Sequence, residues 1–234
     1  MNARIYIPIP VHNRRRIVEQ CIPTIYGTKL SCDTLEIWND ASTEFDNQFL
    51  SRFADTIEMT QIQRGIEAQR RAHFIKFWNM RHTFSHIYMT DSDAPHDPNW
   101  RSQALGLQRT HNGLPVCLYD TKAHSKLQGN TVEDDPTKDY IVRRVMPGIS
   151  YLLTVAHVER IMAHIQHLQD WDWFVPSILG HRCIISRTSH CDHIGLGGLH
   201  HPSEAGLDDG DRAENPTAWL KAKRAEIVEE LSKP

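Results

Sequence analysis

Stretches with strand character alternate with stretches of helical period along the first half of this chain, and that alternation limits its fold more than any other feature. Residues 4–11 read Arg-Ile-Tyr-Ile-Pro-Ile-Pro-Val, β-branched and aromatic with prolines towards the end, and residues 34–38 and 86–90 form shorter apolar runs. Between them, residues 15–25 carry apolar side chains at Ile17, Val18, Cys21 and Ile22, and residues 66–84 carry a longer pattern through Ala72, Ile75, Phe77 and Met80. Strands that alternate with helices pack as a mostly parallel central sheet flanked by helices, so the expected class is α/β.

The second half is less regular. A helix beginning near Asn99 leads to a strand over 115–119, and the polar, acidic stretch 121–140, with Glu133-Asp134-Asp135-Pro136, reads as an excursion within the domain. Residues 142–145 and 149–153 resume apolar character, 155–168 are helical in pattern, and 193–201 are rich in glycine and histidine. Asn215 as an N-cap with Pro216 at the first helical position opens an expected C-terminal helix over 215–234. The 234 residues fit one domain, divided into 1–119, 120–214 and the terminal helix.

Composition removes several classes of partner. Lysine and arginine total 26 against 29 acidic residues, a net charge of −3, which exerts no global pull on nucleic acid or membrane. Mean hydropathy is −0.49, no apolar run approaches the roughly 18 residues of a membrane span, and the start Met-Asn-Ala-Arg lacks a signal-peptide core. Five cysteines, an odd number, argue against a disulfide framework. The expectation is a cytoplasmic chain with reduced thiols and no membrane partner.

Ligands of open α/β sheets bind beyond the carboxyl ends of the strands, so the polar residues after each run are where chemistry is expected. Those residues are Pro10-Val11-His12-Asn13-Arg14, Asn39-Asp40-Ala41-Ser42 and Asp91-Ser92-Asp93. Each alone reads equally well as a cap or turn. Two aspartates one residue apart on a strand-end turn, however, present oxygen ligands to a hard cation such as Mg2+ or Mn2+, which takes substrate phosphates as further ligands.

Together these segments resemble the GT-A-fold glycosyltransferases, in particular the family-two-like branch, including phage-type members, and the resemblance covers most of the chain. The strand with Pro8 and Pro10 ending in His12-Asn13-Arg14 is similar to that family's first strand. Glu36-Ile37-Trp38-Asn39-Asp40-Ala41-Ser42 resembles its nucleotide-reading turn, with Asn39 in place of the first acid. Gln63-Arg64-Gly65 with Gln69-Arg70-Arg71 resembles the stretch near the donor, and Ile87 to Asp93 resembles the Asp-x-Asp strand. Trp171-Asp172-Trp173 is similar to the late acidic motif that carries the base, and His193-Ile194-Gly195 resembles a segment whose histidine completes a metal site.

The resemblance implies a GT-A-like single domain with a smaller acceptor-side subregion, and transfer of sugar from a nucleotide diphosphate sugar, a UDP-sugar first, with Mn2+ or Mg2+ as cofactor. It implies Asp93, Asp91 and His193 around the cation, with His200 and His201 as substitutes. Pro8, Pro10, His12, Arg14, Asp40, Arg64, Arg70, Arg71, Asp91 and Ser92 are expected around the donor. Asp172 is the expected base for an inverting transfer, and Trp171, Trp173 and His200 are expected at the acceptor, a saccharide or a modified DNA base. For DNA, Arg14, Arg15, Arg16, Arg64, Arg70, Arg71 and Lys76 form a candidate basic face, although solvated helix charges have the same composition.

Three other readings use the same residues. A nuclease or nucleotidyltransferase needs further carboxylates or a glycine-rich loop, and the first strand ends without glycine. A non-catalytic sugar-nucleotide or nucleic-acid binder is a further reading, against which the Asp91, Asp93 and Asp172 set argues for catalysis. Zinc on Cys183, Cys191, His193 and His200 lacks the compact ligand pairs typical of structural zinc.

Overall fold

The computed structural model of the chain describes residues 3–195 and 212–233. A sheet of nine strands runs through it. The first three parallel neighbours are β1 (Ile5–Val11), β2 (Thr34–Asp40) and β3 (Thr56–Thr60), and β4 (His86–Thr90) lies parallel on the other side of β1. Beyond β4 follow β8 (Ser150–Thr154), β5 (Val116–Cys117), β9 (Cys183–Ser186), β7 (Tyr140–Arg143) and β6 (Thr131–Glu133), giving the order β3-β2-β1-β4-β8-β5-β9-β7-β6. β8 is antiparallel to both β4 and β5, and β7 is antiparallel to both β9 and β6.

Helices cover the sheet because their apolar stripes match it. In α1 (Arg15–Tyr26) the buried residues Ile17, Val18, Cys21, Ile22 and Ile25 recur at helical spacing on one face. In α3 (Ile66–Asn79) the inward face includes Arg70, His73, Phe74 and Phe77. Ile5, Ile7 and Ile9 of β1 and Ile87 and Met89 of β4 are fully buried at the centre of the core, as expected of strands covered on both faces.

Several elements depart from the sequence expectation for identifiable reasons. The helix expected to reach Phe84 ends at Asn79, because Ser85 and His86 give their amides to Arg4 to start the pairing of β4 with β1. Strand β3 lies at the sheet edge with Thr56, Glu58 and Met59 exposed, so its sequence carries no clear apolar alternation. β9 is a buried four-residue strand, too short for a periodicity. The stretch 121–140 contains α5 (Lys122–Ser125) and β6, which pairs with β7 at the opposite edge. The C-terminal helix is α8 (Ala218–Ser232), capped by the Thr217 hydroxyl, which accepts from Leu220 N–H. Asn215 is not the cap, because its carbonyl accepts from Ser189 N–H and Pro216 bridges to Ser189.

The remaining helices are α2 (Asn47–Leu50), α4 (Trp100–Thr110), α6 (Val155–Met162) and α7 (Trp171–Leu179). Among the described residues no helix is long and apolar enough to cross a membrane. All five cysteines are free thiols.

Candidate active site

The carboxyl ends of β2, β1 and β4 are neighbours in the sheet, which brings the three polar strand ends together. Pairing of β1 with β2 continues to Val11, whereas pairing with β4 stops at Tyr6, ahead of Pro8 and Pro10, which carry no amide hydrogen. Pro8 is buried and Pro10 half-buried. The turn after β1 holds Asn13 at φ 53° and Arg14 at φ 60°, left-handed values that side chains rarely adopt. Asn13 is fastened there by the β2 loop: its amide donates to Ser42 Oγ at 3.0 Å, and its side-chain oxygen accepts from Thr43 N–H at 2.8 Å. His12 Nδ1 lies 2.7 Å from the Asp40 carbonyl oxygen.

Asp40 is buried and organises the next loop. Its Oδ1 accepts from Arg64 N–H at 2.8 Å and from the Thr60 hydroxyl at 3.1 Å, and Oδ2 accepts from Gly65 N–H at 2.9 Å. Burial raises a carboxyl pKa, but these backbone amides outweigh it and hold Asp40 below its usual value. The expected role for Asp40, accepting from a nucleobase, therefore falls to lone pairs left over from a structural one. Gly65 takes φ 80°, a turn that suits glycine, and leaves Arg64 exposed.

Asp91 and Asp93 part company at the end of β4. Asp91 accepts from Arg70, a fully buried guanidinium that also donates to the Thr90 carbonyl at 3.1 Å and stacks over the Trp171 ring at 4.5 Å. Arg70 thus supports Asp91 from below and has no surface to offer a donor. Asp93 turns the other way: its Oδ2 accepts from Arg14 at 2.8 Å and lies 3.0 Å from His193 Nε2. Burial alone raises both carboxyls. It prevails at Asp91 over Arg70, whereas at Asp93 the His193 and Arg14 charges hold the group well below the usual carboxylate range. Ser92 between them is buried.

His193 arrives from a segment far along the chain. Residues 190–194 run antiparallel to 93–97, with Asp97 N–H to His190 O, Asp192 N–H to Pro95 O and Ile194 N–H to Asp93 O at 2.9, 3.1 and 3.0 Å. Arg224 of α8 braces this segment by donating to Asp192 Oδ2 at 2.6 Å and to the His193 carbonyl at 3.0 Å. Arg224 has no sequence signal beyond a charge on a helix.

The Trp-Asp-Trp motif opens α7. Trp171 packs between Arg70 and Tyr151, with ring centroids 4.4 Å from Tyr151, and a Cβ on Gly148 would come within 3.0 Å of its Nε1. Gly148 precedes the start of β8, where Ser150 pairs with Thr90, so the amino end of α7 is tied to the Asp91 end of β4. Asp172 stands one residue further, half-buried, its pKa raised by burial, and Trp173 is 51% exposed. Trp171 is thus a support and Trp173 the free aromatic face. His200 and His201 lie outside the described residues.

A divalent cation requires several of these side chains to share one point. Among the described residues no group of three His, Cys, Asp or Glu is placed to hold a metal ion, so Asp91, Asp93 and His193 do not form a three-ligand site. Cys183 is buried in β9 and Cys191 is fully buried, so neither presents a zinc face. Asp93 and His193 instead meet each other, with His193 Nε2 3.0 Å from Asp93 Oδ2; a carboxylate with an imidazole would suit Mn2+ once that contact opens and phosphate and water complete the shell.

No family model matches the chain, and no curated protein sequence matches it. Solved structures do match. S. aureus TarS 1-349 superposes with a TM-score of 0.57 at 10% identity, over 80% of this chain and 59% of that one. Its complex with UDP-GlcNAc gives 0.58 at 11% identity, over 80% and 57%. The chain has the GT-A-like fold. A mannosyltransferase from Pyrobaculum calidifontis in complex with GDP-Man and Mn2+ shares it with a TM-score of 0.53 at 16% identity, over 69% of this chain and 47% of that one. This chain spans little more than half the length of the TarS 1-349 chains and about half that of the mannosyltransferase.

Proposed function

We propose that this protein transfers a sugar from a nucleoside diphosphate sugar, a UDP-sugar first, to an acceptor hydroxyl, with Mn2+ or Mg2+ held by Asp93 and His193. The observation that carries this reading is the meeting of Asp93, Arg14 and His193 at the end of β4, with Asp91 beside them linked through Arg70 to Trp171 at the start of α7, where Asp172 is the next residue. The likeness to the fold of a GDP-Man-bound mannosyltransferase and of UDP-GlcNAc-bound TarS supports it.

A sugar nucleotide breaks at its anomeric carbon and leaves a diphosphate of growing negative charge, which a cation held by Asp93 and His193 would offset. Arg14 and the exposed Arg64 supply further positive charge, with half-buried Arg71 proposed beside them, while Arg70 keeps Asp91 in place. Asp40 fixes the loop of Arg64 and Gly65 against which a nucleobase rests. On the acceptor side Asp172 takes the proton of the attacking hydroxyl, and its raised pKa makes it a stronger base than an ordinary aspartate. A base opposite the leaving group gives inversion. Residues 1–119 serve the donor in this reading, and residues 120–214 the acceptor and the base.

A saccharide acceptor is put before DNA because four of the seven basic residues are engaged within the protein. Arg14 pairs with Asp93, Arg16 with the Glu230 and Lys233 carbonyls, Arg70 with Asp91, and Lys76 with Glu36 and Glu58. The exposed Trp173 supplies a face on which a sugar ring stacks. The proposal places the reaction in the cytoplasm, where five free thiols persist.

A melting-temperature panel with Mn2+ and uridine, guanosine, thymidine and cytidine diphosphate sugars tests the donor. One base should raise the melting temperature only with the cation present, and Asp93→Asn should abolish the shift. A shift indifferent to the cation and to Asp93 defeats the assignment, and hydrolysis of plain DNA points to a nuclease instead.

A further inference from the structure

Charge at the end of β4 is balanced before any ligand arrives. Asp91 is offset by Arg70 and Asp93 by Arg14, and Arg14 and His193 both meet the same oxygen of Asp93. The Arg14 side chain is 23% exposed while that of Asp93 is 6% exposed, so of the two Arg14 has the greater access to solvent. Its backbone is held at φ 60° by a turn that the Ser42 and Thr43 loop fastens, a strained conformation that aims the side chain at this point. A divalent cation that took the place of Arg14 on Asp93 with no anion beside it would leave the guanidinium uncompensated. A diphosphate changes that balance, because it brings several negative charges and gives arginine a bidentate partner.

We propose that Arg14 is the resident counter-cation of Asp93 in the donor-free protein, and that it passes to the diphosphate when cation and nucleotide load, so that the two bind as a coupled pair. The inference rests on the donor site proposed above and adds to it a residue that sets the order and coupling of loading. Arg14 leaves one anion for another, no covalent bond changes, and Asp93 exchanges a guanidinium for the cation.

Mn2+ binding to the intact protein, followed by electron paramagnetic resonance with and without UDP, tests it. The wild type should bind Mn2+ weakly alone and more tightly with UDP. Arg14→Gln should raise the affinity for Mn2+ alone by roughly tenfold and reduce the UDP-induced gain by a similar factor, while Arg14→Lys, which keeps the charge, stays near wild type. Arg14→Met serves the same comparison if the glutamine variant does not fold. Unchanged or weaker binding of Mn2+ alone by the uncharged variants, or an undiminished gain from UDP, overturns the inference while leaving the donor site standing. Failure of the wild type and every variant to bind Mn2+ or UDP overturns both.

Discussion

Single side chains in this candidate site differ in what burial does to them, and the differences bear on the roles proposed for them. Asp93 and Asp172 are both partly or wholly withdrawn from water, yet Asp93 stays ionised beside His193 and Arg14, whereas the Asp172 pKa rises. Asp172→Asn should leave the nucleotide-induced melting shift intact and lower turnover by about 10²-fold or more. In the wild type, kcat should fall as acid protonates Asp172, with a midpoint above the ordinary aspartate value, and this limb should vanish from the residual activity of the variant. Asp120 offers a second titration outside the catalytic set. It pairs with Arg143 at 2.7 Å, both buried, and burial pushes its pKa up from 3.8 to about 6. Between those values the folded protein retains a proton that the unfolded chain has released, so stability falls as pH rises through the window. Urea titrations from pH 4 to 6 should show this fall, of about 2 to 3 kcal/mol, in the wild type, and its absence from the slope of Asp120→Asn.

At the level of elements, the site depends on braces that contain no chemistry of their own. Helix α8 packs Ile227 against Ile17, Cys21 and Ile194, and its Arg224 holds the segment that delivers His193. Arg224→Ala leaves Asp192, only 2% exposed, without its cation and should cost about 3 to 5 kcal/mol of stability. Below its lowered melting temperature the folded variant should also bind Mn2+ with UDP more weakly, because His193 loses its anchor; equal binding would show that α8 supports the fold alone. Helix α7 depends on Trp171 in the same way. Trp171→Ala removes the ring from beneath Arg70 and should cost about 3 to 5 kcal/mol, whereas Trp173→Ala should leave stability within about 0.5 kcal/mol and raise the acceptor KM.

Across the whole molecule, one sheet carries both the proposed donor side and the proposed acceptor side, through the antiparallel junction of β4 with β8. A core continuous across that junction should unfold as a unit, with tryptophan fluorescence and far-ultraviolet circular dichroism giving coincident denaturant transitions; separate transitions would mark residues 1–119 and 120–214 as independent. The net charge of −3 with most of the basic set already paired predicts weak association with DNA. Steep salt dependence of turnover on a DNA acceptor, against flat dependence on a saccharide, separates the two by measurement.

Local pattern was enough for much of this. The alternation through β1, α1, β2, α3 and β4 follows from burial on two faces of strands and one face of helices, so the α/β class and the polar ends at His12 to Arg14, Asp40 and Asp91 to Asp93 are legible in consecutive residues. Edge strand β3 and short β9 left no periodicity to read, and α3 was overextended because its end is set by pairing between Arg4 and residues 85–86. The partners of each acid are settled between residues distant in sequence: Arg70 beneath Asp91, Arg14 and His193 on Asp93, and two loop amides on Asp40. A carboxylate's spacing in the chain states that it is available. Only the packed fold decides which cation or amide reaches it, because that depends on which groups burial has already forced to pair.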